Sequence, residues 1–171
     1  MYVGVRTSDL EGFEERYGLN SRLVKRDGRL IEEVYRVGGR YDREIRAIVR
    51  HLQNAVLYAP PELAASLEAL IEFYRTGEER ERTADDSAGV SAQESRVDTI
   101  DGFVEVYMDP RGVKGAWEGL VYVVNEAKTH TIETLAAHAQ WFEDHMPFSP
   151  QFRKSHVFGI TAKAIDVIVR T

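Results

Sequence analysis

Val97-Asp-Thr-Ile-Asp-Gly-Phe-Val-Glu-Val-Tyr-Met108 alternates with period two, so that Ile100, Val104, Val106 and Met108 share one face and Phe103, Glu105 and Tyr107 the other. That period predicts a half-buried strand. Downstream, Asp109-Pro110 with Gly112 and Gly115 makes a loop, and Trp117–Val124, rich in β-branched and aromatic residues, reads as a second strand whose single charge is Glu118. Glu126–Met146 returns to helical period, with Ile132, Leu135, Ala136, Ala139 and Phe142 on the buried side and Pro147 as the stop. Ala162–Arg170 alternates again through Ile165, Val167 and Val169, and the chain is expected to be cut short there, in the middle of a strand.

Upstream the pattern is mainly helical. Ser8 with Glu11 reads as a capping box, and Leu10, Phe13 and Tyr17 lie along one face of a short helix ended by Gly18. Arg22–Val37 then changes period around Asp27-Gly28, a dipeptide suited to a two-residue hairpin turn because both central positions need positive φ. That turn sets Val24 opposite Ile31 and Arg22 opposite Glu33. Ile45, Ile48, Val49, Leu52 and Val56 repeat at helical spacing up to Pro60-Pro61, and Leu63, Leu67, Leu70, Ile71 and Tyr74 repeat after it up to Gly77. The two helices are expected to pack antiparallel about the Pro-Pro corner. Glu78–Gln93 is charged and small, with Val90 as its one large aliphatic residue, and has the composition of a linker. The predicted fold class is α+β, with a helical part containing the hairpin over 1–77, a charged variable linker over 78–96, and a part of three strands and one long helix over 97–171.

Composition narrows the function. Asp and Glu (28) outnumber Lys and Arg (22), giving a formal charge of −6, which argues against nucleic acid and suits cationic or free-amine ligands. The absence of cysteine removes disulfides, thiol nucleophiles and thiolate metal sites, and makes the cytoplasm the default expectation. Met1–Asp9 lacks the features of a signal peptide, and no window approaches the ~20 apolar residues that cross a bilayer, so no membrane partner is expected. Along a helix rising ~1.5 Å per residue, His130 and His138 stand ~12 Å apart and His138 and His145 ~10.5 Å apart, too far to share one ion. No His-Glu-x-x-His pair, phosphate loop, dinucleotide fingerprint or Gly-x-Ser-x-Gly elbow occurs. Glu105 and Tyr107, ~6.6 Å apart on one strand face, remain the one unusual constellation, with Glu118 on the next strand. By pattern alone these are solvated strand residues.

The run Glu94-Ser-Arg-Val-Asp-Thr-Ile-Asp-Gly-Phe-Val-Glu-Val-Tyr-Met-Asp-Pro-Arg-Gly-Val-Lys-Gly-Ala-Trp-Glu-Gly-Leu-Val121 resembles the dipeptidyl peptidase III family, in particular its bacterial branch. Tyr17-Gly-Leu-Asn-Ser-Arg-Leu-Val24, Val37-Gly-Gly-Arg-Tyr41 and Phe73-Tyr-Arg-Thr-Gly-Glu78 resemble it in the same order. The resemblance implies a piece of a two-lobed zinc aminopeptidase that removes dipeptides from free peptide N-termini. Through Gly-Phe-x-Glu-x-Tyr, Glu105 is similar to the acidic residue that holds the substrate's α-amino group, and Tyr107 to the tyrosine that assists the transition state. Glu118, in Trp-Glu-Gly, is similar to a second acidic residue near the substrate N-terminus. The family's His-Glu-x-x-Gly-His zinc motif is absent from these 171 residues. The chain alone is therefore expected to be inactive, with zinc and the rest of the peptidase to be supplied from elsewhere. The alternative is a stand-alone peptide-binding or interaction module.

Overall fold

The computed structural model describes residues 1–78, 80, 95–158 and 163–171. Contacts divide the chain into two units, one of Met1–Ser95, Ile100–Gly119 and Thr171, the other of Arg96–Thr99 and Leu120–Arg170. This grouping places Ile100–Gly119 with the N-terminal residues. Most of the predicted linker, 78–96, lies outside the described residues.

In the first unit, β1 (Tyr2–Val3) pairs parallel with β2 (Ser21–Arg26), which pairs antiparallel with β3 (Arg29–Val34). Asp27 and Gly28 both take positive φ, 49° and 77°, as the turn requires, and the register sets Val24 against Ile31 and Arg22 against Glu33, as predicted. Arg26 and Arg29 face each other across the turn, and the repulsion is relieved because Arg26 ion-pairs with Glu33. Helices α1 (Asp42–Val56) and α2 (Pro61–Thr76) bury Ile45, Val49 and Leu52 against Leu67, Leu70, Ile71, Phe73 and Tyr74. These apolar stripes, with Tyr35, form the core. Burial pushes the Tyr35 hydroxyl up to about 12.

The sheet that follows has the order β4 (Val97–Glu105), β5 (Ala116–Val124), β6 (Ile165–Arg170), with β5 and β6 antiparallel. Between β5 and β6 run α3 (Glu126–Ala137), capped by the Asn125 side chain accepting from the Lys128 N–H at 3.0 Å, and α4 (Ala139–His145). The result is the expected α+β class with three C-terminal strands. Among the described residues, no helix is long and apolar enough to cross a membrane.

Three local expectations change. The helix predicted from Ser8 to Gly18 is a short 3-10 turn at Thr7–Leu10 with another at Gly18–Asn20. The Arg16 and Tyr17 N–H groups donate to the Glu32 carboxylate, at 2.8 and 3.2 Å, so they are withdrawn from any helical ladder. The single long helix is broken at His138, whose Nδ1 donates to the Thr134 carbonyl at 2.8 Å and occupies the acceptor that an unbroken helix gives to the His138 N–H. That N–H turns to Leu135 instead. Finally, β4 stops at Glu105, and Val106–Asp109 forms a turn closed by the Asp109 N–H on the Val106 carbonyl at 2.8 Å. Tyr107 therefore sits in a turn, outside the strand.

Gly77 ends α2 at φ 78°, and a Cβ there would lie 2.8 Å from Val34 Cγ1. Gly77→Ala is expected to destabilise the chain by more than about 1 kcal/mol, measured by urea unfolding followed by circular dichroism at 222 nm.

Candidate functional site

Glu105 closes β4, Tyr107 lies two residues on in the turn, and Glu118 is the third residue of β5. All three belong to the first unit, in the hairpin Ile100–Gly119. Glu105 and Glu118 are half-buried, while Tyr107 is 77% exposed. None of the three side chains makes a hydrogen bond or ion pair with the described residues, and none bonds to another. Alternation along β5 turns Glu118 away from the face on which Trp117 meets Phe103.

The base of the hairpin is set by aromatic packing. Phe103 lies with its ring 4.0 Å from that of Tyr35 and edge-on to Trp117 at 5.4 Å, and Tyr41 stacks on it at 6.2 Å. Asp101 accepts from the Tyr74 hydroxyl. The sequence pattern assigned the Phe103 face to solvent, but Phe103 packs on the core, so this face of β4 is anchored inward as far as Phe103.

The tip of the hairpin is held by charges that sequence reading missed. Lys114 is 0% exposed, and its ammonium donates to the Ser21 hydroxyl at 2.7 Å and the Gly18 carbonyl at 3.1 Å while pairing with Glu15 and, at 3.6 Å, Glu32. Arg111 bonds Glu15 at 2.6 Å and the Tyr2 hydroxyl at 3.2 Å. Asp109 Oδ2 accepts from the Tyr2 hydroxyl at 3.0 Å and from the Val113 and Lys114 N–H groups at 2.8 Å. Burial pulls the Asp109 carboxyl upward, but the backbone donors of Lys114, Val113 and Arg111 with the Tyr2 hydroxyl prevail and hold it below its ordinary range. The Gly115 N–H completes the attachment on the Leu19 carbonyl at 3.1 Å, and Gly115 approaches Phe103 O so closely that no Cβ fits. A lone lysine between Val113 and Gly115 has no periodic signature, and its partners Glu15, Gly18, Ser21 and Glu32 all lie far upstream in the chain.

Among the described residues no group of three or more His, Asp or Glu could hold a metal ion. Glu105, Tyr107 and Glu118 do not make up the set of three or more ligands that the zinc implied by the family resemblance would need.

A protein-family model described as Peptidase family M49 matches residues 18–168, and the chain belongs to that family. It is 30% identical over 129 residues to dipeptidyl peptidase 3 of Dictyostelium discoideum, covering 75% of this chain and 18% of that protein. To dipeptidyl peptidase 3 of Homo sapiens it is 28% identical over 131 residues, covering 76% and 18%. The chain thus spans about a fifth of the length of these curated relatives. Among solved structures, dipeptidyl-peptidase III from Corallococcus sp. strain EGB matches with a TM-score of 0.70 at 21% identity, over 99% of this chain and 33% of that one. DPP III from Caldithrix abyssi matches with 0.69 at 18% identity, over 81% and 26%. At these identities the structures speak for the fold.

Two outcomes test the anchoring of the hairpin. Lys114→Met leaves Glu15 with Arg111 as its remaining cation and removes the buried ammonium, and is expected to cost about 3 kcal/mol in urea unfolding, with part of the loss recovered when Glu15→Gln is added. Asp109 binds its proton less tightly folded than unfolded, so its contribution is present above pH ~4 and lost as pH falls through its lowered folded value. In thermal melts from pH 6 to pH 2, Asp109→Asn is expected to melt lower than wild type at pH 6 and to lose less as the pH falls.

Proposed function

We infer that the chain supplies part of the substrate wall of a dipeptidyl peptidase, with Glu105 holding the free α-amino group of a peptide and Glu118, on the neighbouring strand, as a second acidic residue of that wall. The supporting observation is that Glu105 and Tyr107, in Gly102-Phe-Val-Glu-Val-Tyr107, carry no partner among the described residues although their hairpin is fastened at both base and tip. A carboxylate left unpaired on a fixed backbone is poised for a cation. A peptide α-amino group has a pKa of ~7.7–8.0, is largely protonated at neutral pH, and gains a charge-assisted bond there. Fixing the amine fixes which carbonyl lies two residues along, and that register releases dipeptides. Tyr107, exposed in its turn, donates its hydroxyl to the carbonyl oxygen of the bound peptide as charge develops there.

Zinc is supplied in this reading by residues outside the described set, so the 171-residue chain binds peptide without hydrolysing it. The cysteine-free, acidic composition is consistent with a cytoplasmic setting. Titration calorimetry with a tetrapeptide bearing a free N-terminus is expected to give binding that Glu105→Gln weakens about tenfold or more and that N-acetylation abolishes. Equal binding of the acetylated peptide would refute the amine-anchoring role. Hydrolysis of a dipeptidyl-naphthylamide by this chain, stopped by a chelator, would refute its inactivity.

A further inference from the structure

The second unit has no buried apolar side chain among its described residues; every one of the twelve core hydrophobics belongs to the first unit. Its apolar residues are nonetheless arranged as a surface. Helices α3 and α4 have no buried residue, and they line a groove of about 450 Å³ with Ile132, Leu135, Ala139, Phe142, Met146 and Val157. Leu135 is 49% and Phe142 44% exposed, while Glu143 and Lys154 supply the polar rim. Strand β6 is open on both sides, since neighbours Val167 and Ile168, which alternate, are 52% and 60% exposed. A strand apolar on both faces belongs inside a layered structure, and helices whose apolar side chains line an open groove gain stability when that groove is covered.

We propose that the α3–α4 groove is an interface, and that its occupant is an apolar element from the part of a family M49 peptidase that this chain does not include. Three observations select that occupant. The chain matches the Corallococcus fold over 99% of its own length yet accounts for 33% of that protein, so most of a related fold lies outside it. The groove is lined by aliphatic and aromatic side chains with a charge of each sign at its rim, the make-up of a polypeptide interface. Within the chain, Glu78–Gln93 offers a single large aliphatic residue, Val90, and has too little apolar surface to fill the groove. The proposal does not depend on amine binding at Glu105.

The test uses the double variant Leu135→Glu/Phe142→Glu in two settings. In the isolated chain, 8-anilinonaphthalene-1-sulfonate is expected to fluoresce on binding the groove, amides of 126–145 to exchange faster than those of α1 and α2, and the double variant to abolish dye binding without moving the melting temperature of the first unit. In the second setting, the full 171-residue chain replaces the matching third of the Corallococcus enzyme, or is co-expressed with its remainder if the chimera is insoluble. There the dye is expected to be excluded, and the double variant to lower the melting temperature by about 5 °C or to abolish co-purification. An isolated chain that excludes the dye and protects 126–145 as a monomer would show a groove already filled from within and overturn the proposal. Protection that tracks dimerisation in light scattering would assign the groove to a second copy instead. Variants neutral in both settings would remove the interface altogether.

Discussion

A lysine with no exposure to solvent cannot be left without counter-charges, and the arrangement of the first unit follows from how Lys114 is satisfied. Its ammonium meets Glu15, Glu32, the Ser21 hydroxyl and the Gly18 carbonyl, groups from the N-terminal loop, the 3-10 turn and both strands of the first hairpin. Each is distant in sequence, so the Asp109–Gly115 loop has one place to lie. An apolar residue at 114 would pack as well as lysine but would tolerate many registers. Directional charge specifies one position, a role that buried polar groups fill at some cost in raw stability.

That constraint explains why a loop is fit to carry ligand chemistry. Tyr107 is two residues from Asp109, whose carboxylate takes three hydrogen bonds, and Glu105 is two residues from Phe103, which is held between Tyr35 and Trp117. The residues without partners are bracketed by residues with several. A flexible loop bearing the same carboxylate would lose part of each gained bond to ordering its own backbone, whereas here that entropy is spent on folding.

The elements read correctly from sequence are those whose signals are local. Asp27-Gly28 specifies its turn within two residues, and the stripes of α1 and α2 recur every third or fourth residue up to Pro60-Pro61 and Gly77. The failures are cases where a distant or side-chain group outbids the local pattern. Glu32 takes the backbone donors of Arg16 and Tyr17, so a capping box at Ser8 has no helix to cap. His138 takes the Thr134 carbonyl, dividing a helix whose apolar period runs through the break. On β4 the alternation was seen but its sense was misjudged, since Phe103 outweighs Ile100 and Val104 by packing on aromatic rings some 70 residues upstream. The candidate residues themselves entered through the motif around Glu105, because exposed Glu and Tyr on a strand look alike whether or not they bind anything.

The apolar content is distributed unevenly in a way composition conceals. With 43% hydrophobic residues the chain has enough material for a core, yet that core is assembled from Leu23 to Tyr74, while Leu135, Trp141, Phe142, Val167 and Ile168 stay exposed. Under the proposed interface, the exposed apolar residues of the second unit are those a covering element would bury. Periodicity records which face a residue is meant to turn inward, and burial records whether an inside exists; in the first unit the two agree, while no apolar side chain among the described residues of the second is buried. The hairpin bearing Glu105, Tyr107 and Glu118 belongs to the unit where they agree, so the local geometry of that hairpin is set by contacts the chain already makes.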